Sequence, residues 1–108
     1  MKKLELESKE GYKIVCVPEF EKITELCTAI LIEKFNKYGN SWLKRSNIDF
    51  WDRKVCGELN EVINAKDPER LKREILHTIN VLGIMYEKAE DIFKFKKLSE
   101  NIFLGKLS

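Results

Sequence analysis

The chain has 108 residues, 44% hydrophobic and 35% charged, a balance that fits one soluble globular domain over residues 1–108 and excludes a disordered polymer. Twenty Lys and Arg stand against eighteen Asp and Glu, a net charge of +2; with no basic stripe along the chain, nucleic acid is not an expected partner. The longest apolar stretch, about a dozen residues with polar breaks, is short of the ~20 that a membrane span needs.

A chain of this size can bury roughly two-thirds of its unfolded surface, enough for one core and near the range where oligomerisation adds stability. Its opening, MKKLELESKEGYK, has no apolar run of the signal-peptide kind, so a cytoplasmic location is the expectation. The absence of glutamine and the abundance of Lys and Glu are compatible with a thermophile. Cys16, Cys27 and Cys56 are widely spaced and form no CxxC pair. Cys27 and Cys56 fall among helical apolar positions, where buried thiols are expected ahead of metal ligands.

LELE and YKIVCV alternate in polarity around SKEG, which fits either a short β-hairpin or an irregular amino-terminal arm. A first helix is expected from Pro18, with Ile23, Leu26, Cys27, Ile30, Leu31 and Phe35 at three- and four-residue intervals, ending near Tyr38 at Gly39 and Asn40. Ser46 or Asn47 can cap a second helix, about Asp49 to Asn64, with Phe50, Trp51, Val55, Leu59, Val62 and Ile63 on its apolar side. Asp67 and Pro68 then open a third helix reaching past Tyr86. The connection is short, so helices two and three should form an antiparallel hairpin. The third helix is apolar nearly all round at Ile75, Leu76, Ile79, Val81, Leu82, Ile84 and Met85, which places it in the middle of a bundle or at a subunit interface. A last helix, around Ala89 to Phe103, carries Ile92, Phe93, Phe95, Leu98, Ile102 and Phe103. It includes the basic KFKK, read as a solvated surface. The expected fold is therefore an all-α helical bundle built around a helix hairpin.

The run REILHTINVLGIMY breaks its apolar character at His77, Thr78 and Asn80. Buried polar groups need partners, so these residues either face water or serve a site. Glu58 and Glu61 in ELNE stand at i,i+3 on helix two, and Glu74 and His77 in EILH stand at the same spacing on helix three. Each pair shares one helical face, and an antiparallel hairpin can bring the two pairs together. Three crowded carboxylates repel unless a cation or protons intervene; oxygen donors suit magnesium or manganese. Asn80, three residues beyond His77, is expected to extend the same polar stripe. Against this stands an ordinary account: glutamates at this spacing are common on exposed helices, and Arg70 or Arg73 could pair with them in salt bridges.

ELNE followed by EILH resembles the ExxE…ExxD signature of the all-α nucleoside triphosphate pyrophosphohydrolases, the MazG-like and dimeric dUTPase-like enzymes. The segment KVCGELNEVINAKDPERLKREILHTINVLGIMY is similar to their central helical hairpin, and KFNKYGNSWL to a segment of some MazG-related proteins. The likeness covers about Ile30 to Tyr86. His77 stands where the family pattern has aspartate, and Gly57 where many members have a further glutamate.

This resemblance implies hydrolysis of a nucleoside triphosphate between the α and β phosphates, with a divalent ion, magnesium or manganese. It implies Glu58, Glu61 and Glu74 as metal ligands, with His77 at the fourth position and Glu61 as the candidate to position water. A neutral imidazole suits manganese or softer ions better than magnesium. Lys37, Lys44, Arg45 or Lys54 could supply cations for the phosphates, and Tyr38 or Trp42 a face for the base, core packing being the other account of both rings. Asn80 completes the candidate substrate-binding set. A homodimer or higher homo-oligomer is expected. Two further readings stand beside the enzyme. One is a member of the same fold that has lost chemistry and keeps a nucleotide-binding or structural role. The other is an unrelated helical interaction protein.

Overall fold

The structure is a computed structural model that describes residues 2–7, 9–11 and 13–107, with side chains over 9–11 and 18–98. Four helices make the fold: α1 (Phe20–Tyr38), α2 (Ile48–Ile63), α3 (Pro68–Glu87) and α4 (Ala89–Leu107). The fold is thus an all-α bundle, and among the described residues no helix is long and apolar enough to cross a membrane. The amino-terminal expectation, hairpin or arm, falls on residues whose side chains, Cys16 among them, lie outside those described. Their backbone carries two short extended segments, β1 (Lys2–Glu7) and β2 (Lys13–Val17), paired antiparallel.

Local chemistry sets the helix ends. At α2 the Asn47 side chain accepts from the backbone N–H of Asp49 at 2.8 Å, and at α3 Asp67 accepts from that of Arg70 at 2.8 Å. Each satisfies a donor that the first helical turn leaves unpaired. Pro68 opens α3, where its missing N–H costs nothing. Gly39 ends α1 with φ at +77°, a backbone that side chains rarely adopt, while its N–H donates to Phe35 at 2.9 Å.

α2 and α3 pack as the antiparallel hairpin, and α1 lies across α3. Cys27 on α1 sits beside Leu76, and Glu33 beside Arg73, so α1 runs counter to α3. The core is Trp51, Val81, Ile84 and Ile92, with Leu31, Phe35, Trp42, Phe50 and Met85 packed around it. Trp51 is fully buried, and its indole N–H donates to the Arg45 carbonyl at 3.0 Å. That bond fixes the connector between α1 and α2. A single turn of 3-10 helix, Ser41–Lys44, lies in this connector, and Lys88 Nζ at the end of α3 donates to its Leu43 carbonyl at 2.6 Å. The connector is therefore held at Arg45 by core Trp51 and at Leu43 by Lys88, with Trp42, next to Leu43, packed against the core.

The expectation of buried thiols needs correction at Cys56. Cys27 is buried but Cys56 is exposed, pointing its thiol along its own helix toward Asp52 at 3.6 Å. On α4 only Ile92 is buried among the described apolar residues, whereas Phe93, Phe95 and Leu98 are exposed; Ile102 and Phe103 lie outside the described side chains. Within the single chain α3 is covered on one side, at Glu74, Thr78, Val81 and Ile84. Leu71, Ile75, Ile79 and Leu82 remain exposed.

Candidate metal centre

The hairpin brings Glu58 and Glu61 of α2 against Glu74 and His77 of α3. One ligand atom from each of the four lies within 4.8 Å of the others, so this cluster could hold a metal ion. The pairing follows from antiparallel packing, which sets Glu58 opposite His77 and Glu61 opposite Glu74. His77 Nδ1 is 3.9 Å from Glu58 Oε2 and 3.5 Å from Glu74 Oε2.

Three of the four ligand side chains are largely enclosed. Glu74 is 1% exposed, and the side chains of Glu58 and His77 are 13% and 12% exposed. Glu58 Oε2, both carboxylate oxygens of Glu74 and His77 Nε2 are buried without a hydrogen-bond partner. Each such atom is costly in a folded protein, and a buried group left unsatisfied often marks a ligand's place. Burial pushes the Glu58 carboxyl above its ordinary range, and the neighbouring Glu61 charge adds to that. Glu74 is pushed up likewise, first by burial and then by the neighbouring Glu61 carboxylate. His77 is held below its ordinary value near 6.5 by burial, then by the cations Lys34 and Arg73, which favours neutral imidazole.

The cluster forms one wall of a cavity of about 570 Å³, a size that accommodates a small ligand. Lys34, Lys54 and Arg70 bring three cations to it, and Tyr38, Ser41 and Trp42 line it as well. Arg70 Nε is 2.8 Å from Glu74 Oε1, an ion pair whose N–H is not directed as a hydrogen bond. Lys54 Nζ is 3.7 Å from Glu58 Oε1 and sits 4.1 Å from the centre of the Trp42 ring. Tyr38 is 60% exposed, flanked by Lys34 and Lys37.

Of the residues singled out in the sequence, Glu58, Glu61, Glu74, His77, Lys54, Trp42 and Tyr38 share this cavity. Lys37 does not line it; its ammonium lies 5.1 Å from the Tyr38 ring centre. Lys44 and Arg45 are also absent from its lining, Arg45 being stacked on Phe50 at 5.2 Å. Asn80 is placed elsewhere: its Nδ2 donates to the Cys27 carbonyl of α1 at 3.0 Å. The stripe Glu74, His77, Asn80 turns away from α2 because three residues fall about 60° short of a full helical turn. Thr78 serves no site either, donating to the Glu74 carbonyl of its own helix at 2.9 Å.

Lys34, Ser41 and Arg70 were not among the sequence candidates for substrate. Arg70 had a signal, its i,i+4 spacing to Glu74, but one that reads equally as an ordinary ion pair. Comparison of the chain with protein-family models, with curated proteins and with solved structures finds no match to any of them.

Proposed function

We propose that the chain is a divalent-metal-dependent nucleoside triphosphate pyrophosphohydrolase, releasing a nucleoside monophosphate and pyrophosphate. The observation that carries this reading is the convergence of three glutamates and a histidine in a cavity that also holds Lys34, Lys54, Arg70 and Trp42. The motif resemblance supports the same chemistry. The donor set fits magnesium or manganese, and the unpartnered buried oxygens fit a cation better than an empty polar wall. When bound, such an ion neutralises phosphate charge and acidifies the attacking water.

The chain's own groups divide the remaining work. Glu58 and Glu74 are held in place by burial and act as ligands. Glu61 is the exposed carboxylate of the cluster, which suits it to orient water and accept its proton as the water oxygen attacks the α phosphorus. The bond from that phosphorus to the α–β bridging oxygen breaks, and pyrophosphate leaves with the electron pair. Lys54 and Arg70 now pair with Glu58 and Glu74. A cation on those acids would release both side chains toward phosphate oxygens, with Lys34 beside them. Trp42 offers a ring for the base, and Lys54 above it ties base and phosphate recognition together.

A second reading has its own observation: Arg70 against Glu74 can balance buried charge without any ion. Under it the chain keeps the fold in a nucleotide-binding or structural role and lacks turnover. We also assign to a second copy of the chain the exposed row Leu71, Ile75, Ile79 and Leu82, whose spacing makes one apolar seam on α3.

The deciding experiment is pyrophosphate release from a panel of ribo- and deoxyribonucleoside triphosphates, with magnesium and with manganese, using Glu61→Gln as control. Release that depends on metal and is lost in Glu61→Gln is expected. Folded protein that releases none from any nucleotide would leave the second reading.

A further inference from the structure

Resting on the metal-dependent reading above, we infer that His77 makes the site selective for manganese, as a borderline first-row divalent ion, over magnesium. Two independent features of the site lead there. One is the donor set: three carboxylates and one imidazole, not an all-oxygen cage. Magnesium is a hard ion held almost entirely by oxygen, whereas manganese accepts an imidazole nitrogen readily.

The second feature is the enclosure of three of the ligand side chains. Magnesium sheds water reluctantly and usually keeps several water ligands in a protein site. Here Glu74 is 1% exposed, and His77 and Glu58 are nearly as enclosed. Four of their polar atoms are buried with no hydrogen-bond partner. On the enclosed side the chain's own groups stand in for part of the hydrated shell that magnesium prefers, and water reaches the ion only from the cavity.

His77 is also not a histidine satisfied by its surroundings. Its Nδ1 faces the carboxylates of Glu58 and Glu74 at 3.9 and 3.5 Å, and its Nε2 has no partner at all. Those separations match two ligands sharing one ion, which sit about 3–4 Å apart when each bond is about 2.1 Å. They are long for direct hydrogen bonds. An ion between them would be bound through Nδ1, the ring nitrogen that faces the two acids.

The test is binding, not turnover. Full-length protein stripped with a chelator is titrated with manganese, followed by loss of the free-ion electron spin resonance signal, and magnesium is measured by competition. The wild-type chain should prefer manganese, and His77→Asp should reduce that preference by about tenfold or more while still binding both ions. Circular dichroism checks that the variant is folded. Electron spin echo of the manganese-loaded wild type needs no variant and should show modulation from a coordinated imidazole nitrogen. Equal affinity for the two ions, an unchanged preference in folded His77→Asp, or bound manganese without nitrogen modulation overturns this inference alone. Failure of every divalent ion to bind overturns it together with the reading it rests on.

Discussion

Arg70 Nε stands 2.8 Å from Glu74 Oε1, so an arginine more than half exposed balances the most deeply buried carboxylate in the chain's described core. Removing one partner of such a pair leaves the other charge buried and uncompensated. Arg70→Gln should therefore lose about 1–3 kcal/mol of stability in chelator. Manganese should recover most of that loss, because an ion on Glu74 replaces the missing charge. Urea unfolding with and without metal reads the difference; a loss that metal leaves untouched would make Arg70 the permanent counterion.

The crowded acids give stability a definite pH trend. Glu58 and Glu74 hold their protons above the ordinary carboxylate range. Between the ordinary and the raised values the folded chain binds more protons than the unfolded one. Stability in chelator should therefore fall as pH rises through that window. His77 works on the other flank. Its value is lowered from 6.5, so the unfolded chain takes up that proton first, and stability should also fall as pH drops below the ordinary value. Glu74→Gln should flatten the carboxylate-side decline, and manganese should reverse it by favouring the ionised acids. Unfolding midpoints from about pH 4 to about pH 8 decide this, with the Glu74→Gln comparison assigning the group.

Legibility in the sequence followed the range of each interaction. Asn47, Asp67 and Pro68 act within a few residues, and the helices start where they indicate. Glu58, Glu61, Glu74 and His77 were readable because a short connection leaves a hairpin little choice of register. The contribution of α1 was not readable, since its crossing of α3 depends on packing between distant positions such as Cys27 and Leu76. Lys34 and Lys37 are one turn apart, and only that crossing decides that Lys34 lines the cavity while Lys37 leans on Tyr38. Asn80 falls outside the site because i,i+3 steps wind around the helix and carry it to the α1 side.

Asn80 is then a structural tie between α3 and α1 rather than a substrate contact. Asn80→Ala removes one partly buried hydrogen bond to the Cys27 carbonyl and should cost about 1 kcal/mol. Manganese affinity should stay at the wild-type value. Thermal unfolding and the same metal titration separate the two effects; a clear loss of metal binding would return Asn80 to the site.

Gly57 sits inside α2, and a Cβ built there meets nothing within 4 Å. No close approach of a neighbour requires the glycine, and its backbone entropy weakens the helix. Gly57→Ala should stabilise the chain by about 0.5–1 kcal/mol, read as a higher urea midpoint at unchanged m-value. A decrease would show that the added methyl obstructs something absent from the single chain.

One side of α3 is left uncovered within the single chain. Leu71, Ile75, Ile79 and Leu82 are each 38–49% exposed and recur every three or four residues. An exposed row of this kind is costly in water and matches a seam between helices of two copies. Replacing Ile75 and Leu82 together by glutamate would set like charges against each other across such a seam. Sedimentation velocity should show a dimer or higher oligomer for the wild-type chain and a monomer for the double variant. Circular dichroism should stay helical, since neither residue belongs to the core of Trp51, Val81, Ile84 and Ile92. A wild-type chain that sediments as a monomer at micromolar concentration would remove the second copy from this face.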